Sequence, residues 1–218
     1  MSLYYNTVGK ELLDYLLRLM KAEEFKDFYL VGGTALSLQL GHRISVDIDL
    51  FTDTLYGNLN LNAIRDCIKD NFAYTDNISC LDTNQMVYTL YIGDDKESVV
   101  KLDLCYDEKP IYPLMEIDGI RMLSDKDIAA MKMLAITTGQ RRKDFWDLHE
   151  LLGRYSLEEM MDWGLRRNQY SLNRDDIISS LKNVWNIEDY TEVVSLKDGY
   201  WEFVADDISR EVEKLLDI

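Results

Sequence analysis

The 218-residue sequence predicts an α+β fold: a mixed β-sheet with flanking helices over residues 1–122, then a helical region over residues 123–218. Three observations carry this. Short apolar or alternating runs, bounded by turn residues, recur up to about residue 122 and read as strands. From Ser124 onward the apolar spacing becomes helical. There are only two prolines, Pro110 and Pro113, and no Ser/Gly-rich tract, so no disordered segment is marked.

The elements follow in order. Val8, Leu12, Leu16 and Met20 recur at helical spacing and predict a helix over roughly 8–25. Phe28 to Val31 is a short apolar run and reads as a buried strand. Gly32-Gly33 breaks it, and Thr34 to Leu40 reads as a helix with Thr34 near its N-cap and Gly41 as its stop. Val46 to Phe51 alternates apolar and acidic, as a strand does. Leu61 to Ile68 is helical. Strands are predicted around Tyr74–Cys80, Gln85–Ile92, Ser98–Cys105 and Gly119–Met122, with Gly93-Asp94-Asp95 as a hairpin turn. Ser124 with Asp127 three residues on signals a helix start. Four or five helical segments follow, the last with Trp201, Val204, Ile208, Val212 and Leu215 on one face.

Lys plus Arg is 24 and Asp plus Glu is 40, a net charge of -16. That disfavours general coating of DNA or RNA. Cys67, Cys80 and Cys105 are odd in number and too far apart for CxxC chemistry, which fits a reducing cytoplasm. No apolar run is long enough to span a membrane. With two histidines and no motif around a Ser or Cys, no nucleophilic triad or zinc spacing is present; His42 reads as structural and His149 as a helix-surface residue.

Asp47 and Asp49 are two apart on a strand and point to one face, with Val46, Ile48 and Leu50 pointing into the core. Close carboxylates repel unless a cation sits between them, and oxygen ligands at this spacing suit Mg²⁺. A solvated strand face is the bland alternative. Asp103, in Val99-Val100-Lys101-Leu102-Asp103-Leu104, adds a third carboxylate if the strands pair. Three converging carboxylates are the ligand set of a two-metal phosphoryl- or nucleotidyl-transfer site. Gly32-Gly33 after a strand and before a helix lets the backbone approach a phosphate at a helix N-terminus.

Lys132 interrupts an apolar stripe, sharing a face with Ile128 and Ala135; it either snorkels to water or meets an anion. Lys143 and Asp147 are one helical turn apart, which alone reads as a surface ion pair. Asp144 and Asp147 share a face and repel, so both call for a further basic group or a metal–phosphate.

"GGTALSLQLGHRISVDIDLF", "VKLDL" and "KMLAITTGQRRKDFWDLHELL" together resemble, in order, the motifs of the AbiEii/AbiGii-type nucleotidyltransferases of the DNA polymerase β-like superfamily. The resemblance implies a nucleotidyltransferase fold, NTP as substrate, and Mg²⁺, with Mn²⁺ as the alternative. It implies that Asp47, Asp49 and Asp103 are catalytic metal ligands and that Gly32, Gly33 and Thr34 hold the triphosphate. Arg43 and Ser45 match the pattern before D-x-D. Arg43, Ser45, Lys132, Lys143, Asp144 and Asp147 become nucleotide-binding candidates. Many members are toxins encoded beside an antitoxin and act in phage defence, and relatives modify tRNA. The acidity is a poor start for an RNA acceptor, although Arg141, Arg142, Arg166 and Arg167 could form a local patch. A small cationic acceptor, or a binding module that has lost catalysis, are the rival readings.

Overall fold

The computed structural model describes residues 2–197 and 199–216. Two compact units divide the chain: one takes the residues up to Gly41 together with Ser45–Leu123, the other His42–Ile44 and the residues from Ser124 onward.

In the first unit, helix α1 (Lys10–Lys21) buries Leu12, Leu16, Leu19 and Met20 on one face. It stops a turn earlier than its spacing predicts. Ala22 is extended, and Glu23–Phe25 forms a separate 3-10 turn that buries the Phe25 ring. The Arg121 guanidinium donates to the carbonyls of Met20, Phe25 and Phe28 at 3.0, 2.9 and 3.1 Å, so the carbonyls freed by this break are satisfied.

Strand β1 (Tyr29–Leu30) leads into helix α2 (Gly32–Leu40). The N-cap of α2 is Val31, not Thr34: Gly32 takes a left-handed φ of 68° and the helix begins there. Gly41, at φ 69°, ends it as expected. Strand β2 (Asp47–Thr52) follows, then helix α3 (Leu61–Asn71), capped by the Asn60 side chain, and strand β3 (Tyr74–Asp76). The run predicted as strand to Cys80 turns at Asn77, whose φ is 56°, into a 3-10 segment at Ile78–Asp82. Strands β4 (Val87–Gly93) and β5 (Val100–Tyr106) come next.

Strands β6 (Met115–Ile117) and β7 (Ile120–Met122) form a hairpin. Asp118 and Gly119 at its tip both have positive φ, 53° and 80°, as a tight Asp-Gly turn requires. Only β7 was predicted; β6 is three residues long and follows Pro113 closely, so its pattern is too short to read.

Among the described residues these strands form one seven-stranded sheet in the order β3-β4-β5-β2-β1-β7-β6. β2 and β5 pair in parallel, as do β1 and β7, and the remaining pairs are antiparallel. The sheet is therefore mixed.

In the second unit, helices α4 (Asp125–Thr138), α5 (Arg142–Leu152), α6 (Leu157–Arg167), α7 (Arg174–Lys182) and α8 (Trp201–Leu216) surround a core containing Met133, Phe145, Leu148, Met160 and Ile208. Ser124 caps α4 by accepting from the Asp127 N–H. Gly164 lets α6 close on α4, since a β-carbon there would lie 2.5 Å from Met133 Cβ. The segment 42–44 belongs to this unit because it pairs with 194–196: Ile44 N–H donates to the Val194 carbonyl at 2.9 Å and Leu196 N–H to the His42 carbonyl at 2.8 Å. No helix among the described residues is long and apolar enough to cross a membrane.

Candidate active site

The sheet register assembles a polar face. Asp49 is the direct neighbour of Asp103, and Asp47 of Lys101, across the parallel β2–β5 ladder. Thr89 on β4 is opposite Asp103. Partners in adjacent strands carry their side chains to the same side, and residues two apart on a strand do so too. Asp47, Asp49, Lys101, Asp103 and Thr89 therefore share one face. The alternate residues Ile48, Leu50, Leu102, Leu104, Tyr88 and Leu90 fill the other, each no more than 1% exposed. Burying each such side chain contributes about 1.5–3 kcal/mol, so a one-residue slip that exchanged the faces is strongly disfavoured. Val46 departs from the expected pattern: it precedes the ladder and is 67% exposed.

Asp103 has a partner on each oxygen. Oδ1 accepts from the Thr89 hydroxyl at 2.7 Å and Oδ2 from the Lys101 ammonium at 2.6 Å. Burial pushes Lys101 down, but the Asp103 contact and the nearby charges of Asp47 and Asp49 outweigh it and hold Lys101 above its ordinary range. Burial, followed by the charges of Asp103 and Asp49, pushes the Cys105 thiol up to about 12. Among the described residues no three His, Cys, Asp or Glu side chains are already gathered as a metal-binding group. The donor chemistry nonetheless fits a hard divalent cation: three carboxylates share one strand face.

Gly32 abuts this face. A β-carbon built on it would lie 2.8 Å from Asp49 Oδ2, and the Val31 N–H donates to the Asp49 carbonyl at 2.9 Å. The N-terminus of α2 thus meets β2 at the carboxylates. Val31 supplies no side-chain cap. Gly33 is half-buried in the same first turn.

The Thr34 side chain is engaged within the fold. It is buried, with Oγ1 2.5 Å from the Asp47 carbonyl oxygen and 2.8 Å from Ser45 Oγ. A carbonyl can only accept, so the Thr34 proton goes to it and the Ser45 hydroxyl donates to Thr34. Both hydroxyls are spent tying α2 to the start of the D-x-D strand.

The remaining candidates lie in the second unit. Asp147 accepts a two-pronged contact from Arg43, Nε to Oδ1 at 2.7 Å and Nη2 to Oδ2 at 2.9 Å. His42 Nε2 lies 2.8 Å from Asp147 Oδ1. The Lys132 ammonium sits between Asp144 Oδ1 and Asp147 Oδ2, 2.6 Å from each, and Arg141 reaches Asp144 Oδ2 at 2.9 Å. All but Arg141 are buried. Burial pushes Asp147 up, but Lys132 and Arg43 override it and hold the carboxyl well below the usual range. Burial pushes Lys132 down, and Asp147 and Asp144 more than reverse that.

These contacts identify the partners that the sequence reading left open. Lys132 meets an anion, but the anions are Asp144 and Asp147. The extra basic groups those two carboxylates call for are Lys132, Arg43 and Arg141, so no phosphate is needed to explain them. Lys143 is half-buried and, among the described residues, makes no ion pair. The expected arginine patch is also reduced. Arg167 is buried against Asp127, and Arg142 stacks on Tyr190 and Trp201 at 5.3 and 4.8 Å, leaving Arg141 and Arg166 exposed. His149, half-buried on α5, pairs with Asp207 at 2.9 Å. Lys101 was missed, although its place two residues before Asp103 on one strand puts it on the same face.

The profile of the family described as nucleotidyl transferase AbiEii toxin, Type IV TA system, matches residues 14–199. An uncharacterised protein of Aquifex aeolicus is 31% identical over 206 residues, covering 88% of this chain and 89% of that one. Two solved structures share the fold. A candidate nucleotidyltransferase from H. pylori has a TM-score of 0.62 at 21% identity, covering 95% of this chain and 92% of that chain. The nucleotidyltransferase toxin MenT4 from Mycobacterium tuberculosis H37Rv has a TM-score of 0.58 at 13% identity, with coverage of 95% and 82%. With the match spanning most of its length, the chain belongs to the AbiEii nucleotidyl transferase toxin family and is a nucleotidyltransferase.

Proposed function

We propose that the Asp47, Asp49 and Asp103 face transfers an NMP from an NTP to a hydroxyl on RNA, such as tRNA, or on protein, releasing pyrophosphate. We infer further that the chain is the toxin of a toxin–antitoxin pair, acting in a reducing cytoplasm where Cys67, Cys80 and Cys105 stay free, with phage defence as its setting. The observation that carries the chemistry is the register of Asp49 on Asp103 with Gly32 pressed against Asp49.

In this reading the backbone of Gly32 and Gly33 receives the triphosphate at the start of α2, where helix N–H groups favour an anion. Thr34 and Ser45 fix the strand that carries Asp47. The three carboxylates would hold Mg²⁺ or Mn²⁺, which would supply charge neutralisation at the phosphates and polarisation of the acceptor hydroxyl. Asp103 would lie near the acceptor hydroxyl. Positioning and charge neutralisation do the work. Lys143, uncommitted within its own unit, keeps its candidacy for an anionic ligand. The Arg43, Lys132, Asp144 and Asp147 set serves as a buried scaffold.

The net charge of -16 favours a second reading with a small cationic acceptor. One experiment separates the two. The protein is incubated with each α-labelled NTP and Mg²⁺ in the presence of total RNA, cell protein or an aminoglycoside panel. Label in RNA or protein supports the first reading, and label in a small molecule the second. No transfer under any condition, with equal growth inhibition by wild type and an Asp47→Ala/Asp49→Ala variant, overturns both and leaves a binding module.

A further inference from the structure

We propose that Lys101 is a resident counter-ion of the carboxylate face, and that uptake of a divalent cation requires its ammonium to let go of Asp103. This rests on reading that face as the metal site.

Four neighbouring positions form a block on β2 and β5: Asp47 beside Lys101, and Asp49 beside Asp103. Three of them are anionic and one is cationic. Adjacent strands run about 4.8 Å apart and diagonal neighbours about 7–8 Å, so each of the four charges feels the other three. Lys101 is thus the one cation of this block, and it is spent on Asp103 at 2.6 Å.

A divalent cation at Asp103 Oδ2 would share that oxygen with the ammonium, and the two like charges would repel. Asp103 Oδ1 holds the Thr89 hydroxyl and Oδ2 the ammonium, and the Asp103 side chain is only 17% exposed. A Mg²⁺ ion binds carboxylate oxygen at about 2.1 Å, which would bring it within a few ångströms of the Lys101 nitrogen with little water to screen the repulsion. The lysine has a way out. Its side chain is 34% exposed, on a flexible four-carbon stem. The ammonium thus stabilises the metal-free face and competes with the metal for Asp103.

The test uses the full chain, stripped of metal by chelator and titrated with Mn²⁺ alone. Free Mn²⁺ is followed by electron paramagnetic resonance and folding by thermal melting. Lys101→Met is expected to bind Mn²⁺ about tenfold more tightly than wild type, since one repelling charge is gone. It should melt lower in chelator and gain more from Mn²⁺. Lys101→Arg, which keeps the cation, should hold the wild-type affinity. Lys69→Met, at the exposed end of α3, controls for net charge and should change nothing. If Lys101→Met is poorly folded without metal, Lys101→Gln provides the same comparison.

A folded neutral variant that binds Mn²⁺ no more tightly than wild type overturns the inference while leaving the metal site standing. Wild type that binds no more Mn²⁺ than Asp47→Ala/Asp49→Ala removes the metal site, and the inference with it.

Discussion

Gly32 and Asp49 leave no room between them for a β-carbon: one built on Gly32 would sit 2.8 Å from Asp49 Oδ2, at a φ of 68°. Position 32 is therefore closed to other residues twice, by backbone conformation and by the carboxylate it touches. Gly32→Ala is expected to cost about 1–3 kcal/mol of stability. It should also abolish label transfer, because relief of the clash moves either α2 or Asp49. A stable variant with wild-type transfer would show that the close approach is incidental. Denaturant unfolding alongside the transfer assay checks both parts.

Thr34 separates a clamp from a phosphate ligand. Thr34→Ser keeps the donor to the Asp47 carbonyl, while Thr34→Val removes it and leaves that acceptor buried at a cost of about 1–3 kcal/mol. The valine variant is expected to be destabilised by that amount, and the serine variant to behave nearly as wild type. An NTP affinity lowered by valine with no change in stability would instead place the hydroxyl on the triphosphate.

The buried Lys132 and Asp147 pair should show in the pH dependence of stability. Asp147 titrates below the ordinary carboxylate value of 3.8 when folded, so its contribution is present above that pH and is lost as pH falls through its lowered value. Lys132 is raised above 10.5, so its contribution is present below that pH and is lost as pH rises through the raised value. Lys132→Met should destabilise the protein by about 3–5 kcal/mol between these limits, because two buried carboxylates lose their shared ammonium. Melting curves from pH 3 to 11 measure this. A loss near that of an exposed ion pair, under about 1 kcal/mol, would contradict the buried network.

Much of this was legible in the sequence. Period-two alternation over Asp47–Leu50 and Leu102–Leu104 placed the carboxylates on one strand face, since polar and apolar residues alternate only where a sheet has a core side. Gly41 was readable as a helix stop because few residues adopt its left-handed φ. Other features depended on partners distant in sequence. Nothing near Thr34 reveals that its hydroxyl is taken by the Asp47 carbonyl, thirteen residues on. Nothing near Asp147 points to Arg43, 104 residues earlier. Nothing near the end of α1 reveals that the Met20 carbonyl is met by Arg121, 101 residues away. Long-range hydrogen bonds of this kind leave no periodic trace, and Lys132 could therefore be read as meeting an anion without that anion being identified.

Cys105 offers a check on the carboxylate face without any ligand. It is 7% exposed and its thiol is pushed up to about 12, by burial first and then by Asp103 and Asp49. Native protein at pH 8 should leave Cys105 unmodified by a thiol reagent while denatured protein reacts fully. Mass spectrometry of the modified peptides decides this. Fast labelling of native Cys105 would mean that the β2–β5 face opens to the reagent and would contradict its burial.

The most direct test compares α- and γ-labelled NTP in transfer reactions with cell extract, using wild type and Asp49→Asn. Transfer of α-label but not γ-label by wild type, reduced at least about a hundredfold in Asp49→Asn, is the expected result. Transfer of the γ-label, or equal α-label transfer by the two proteins, would contradict nucleotidyl transfer at the Asp47, Asp49 and Asp103 face.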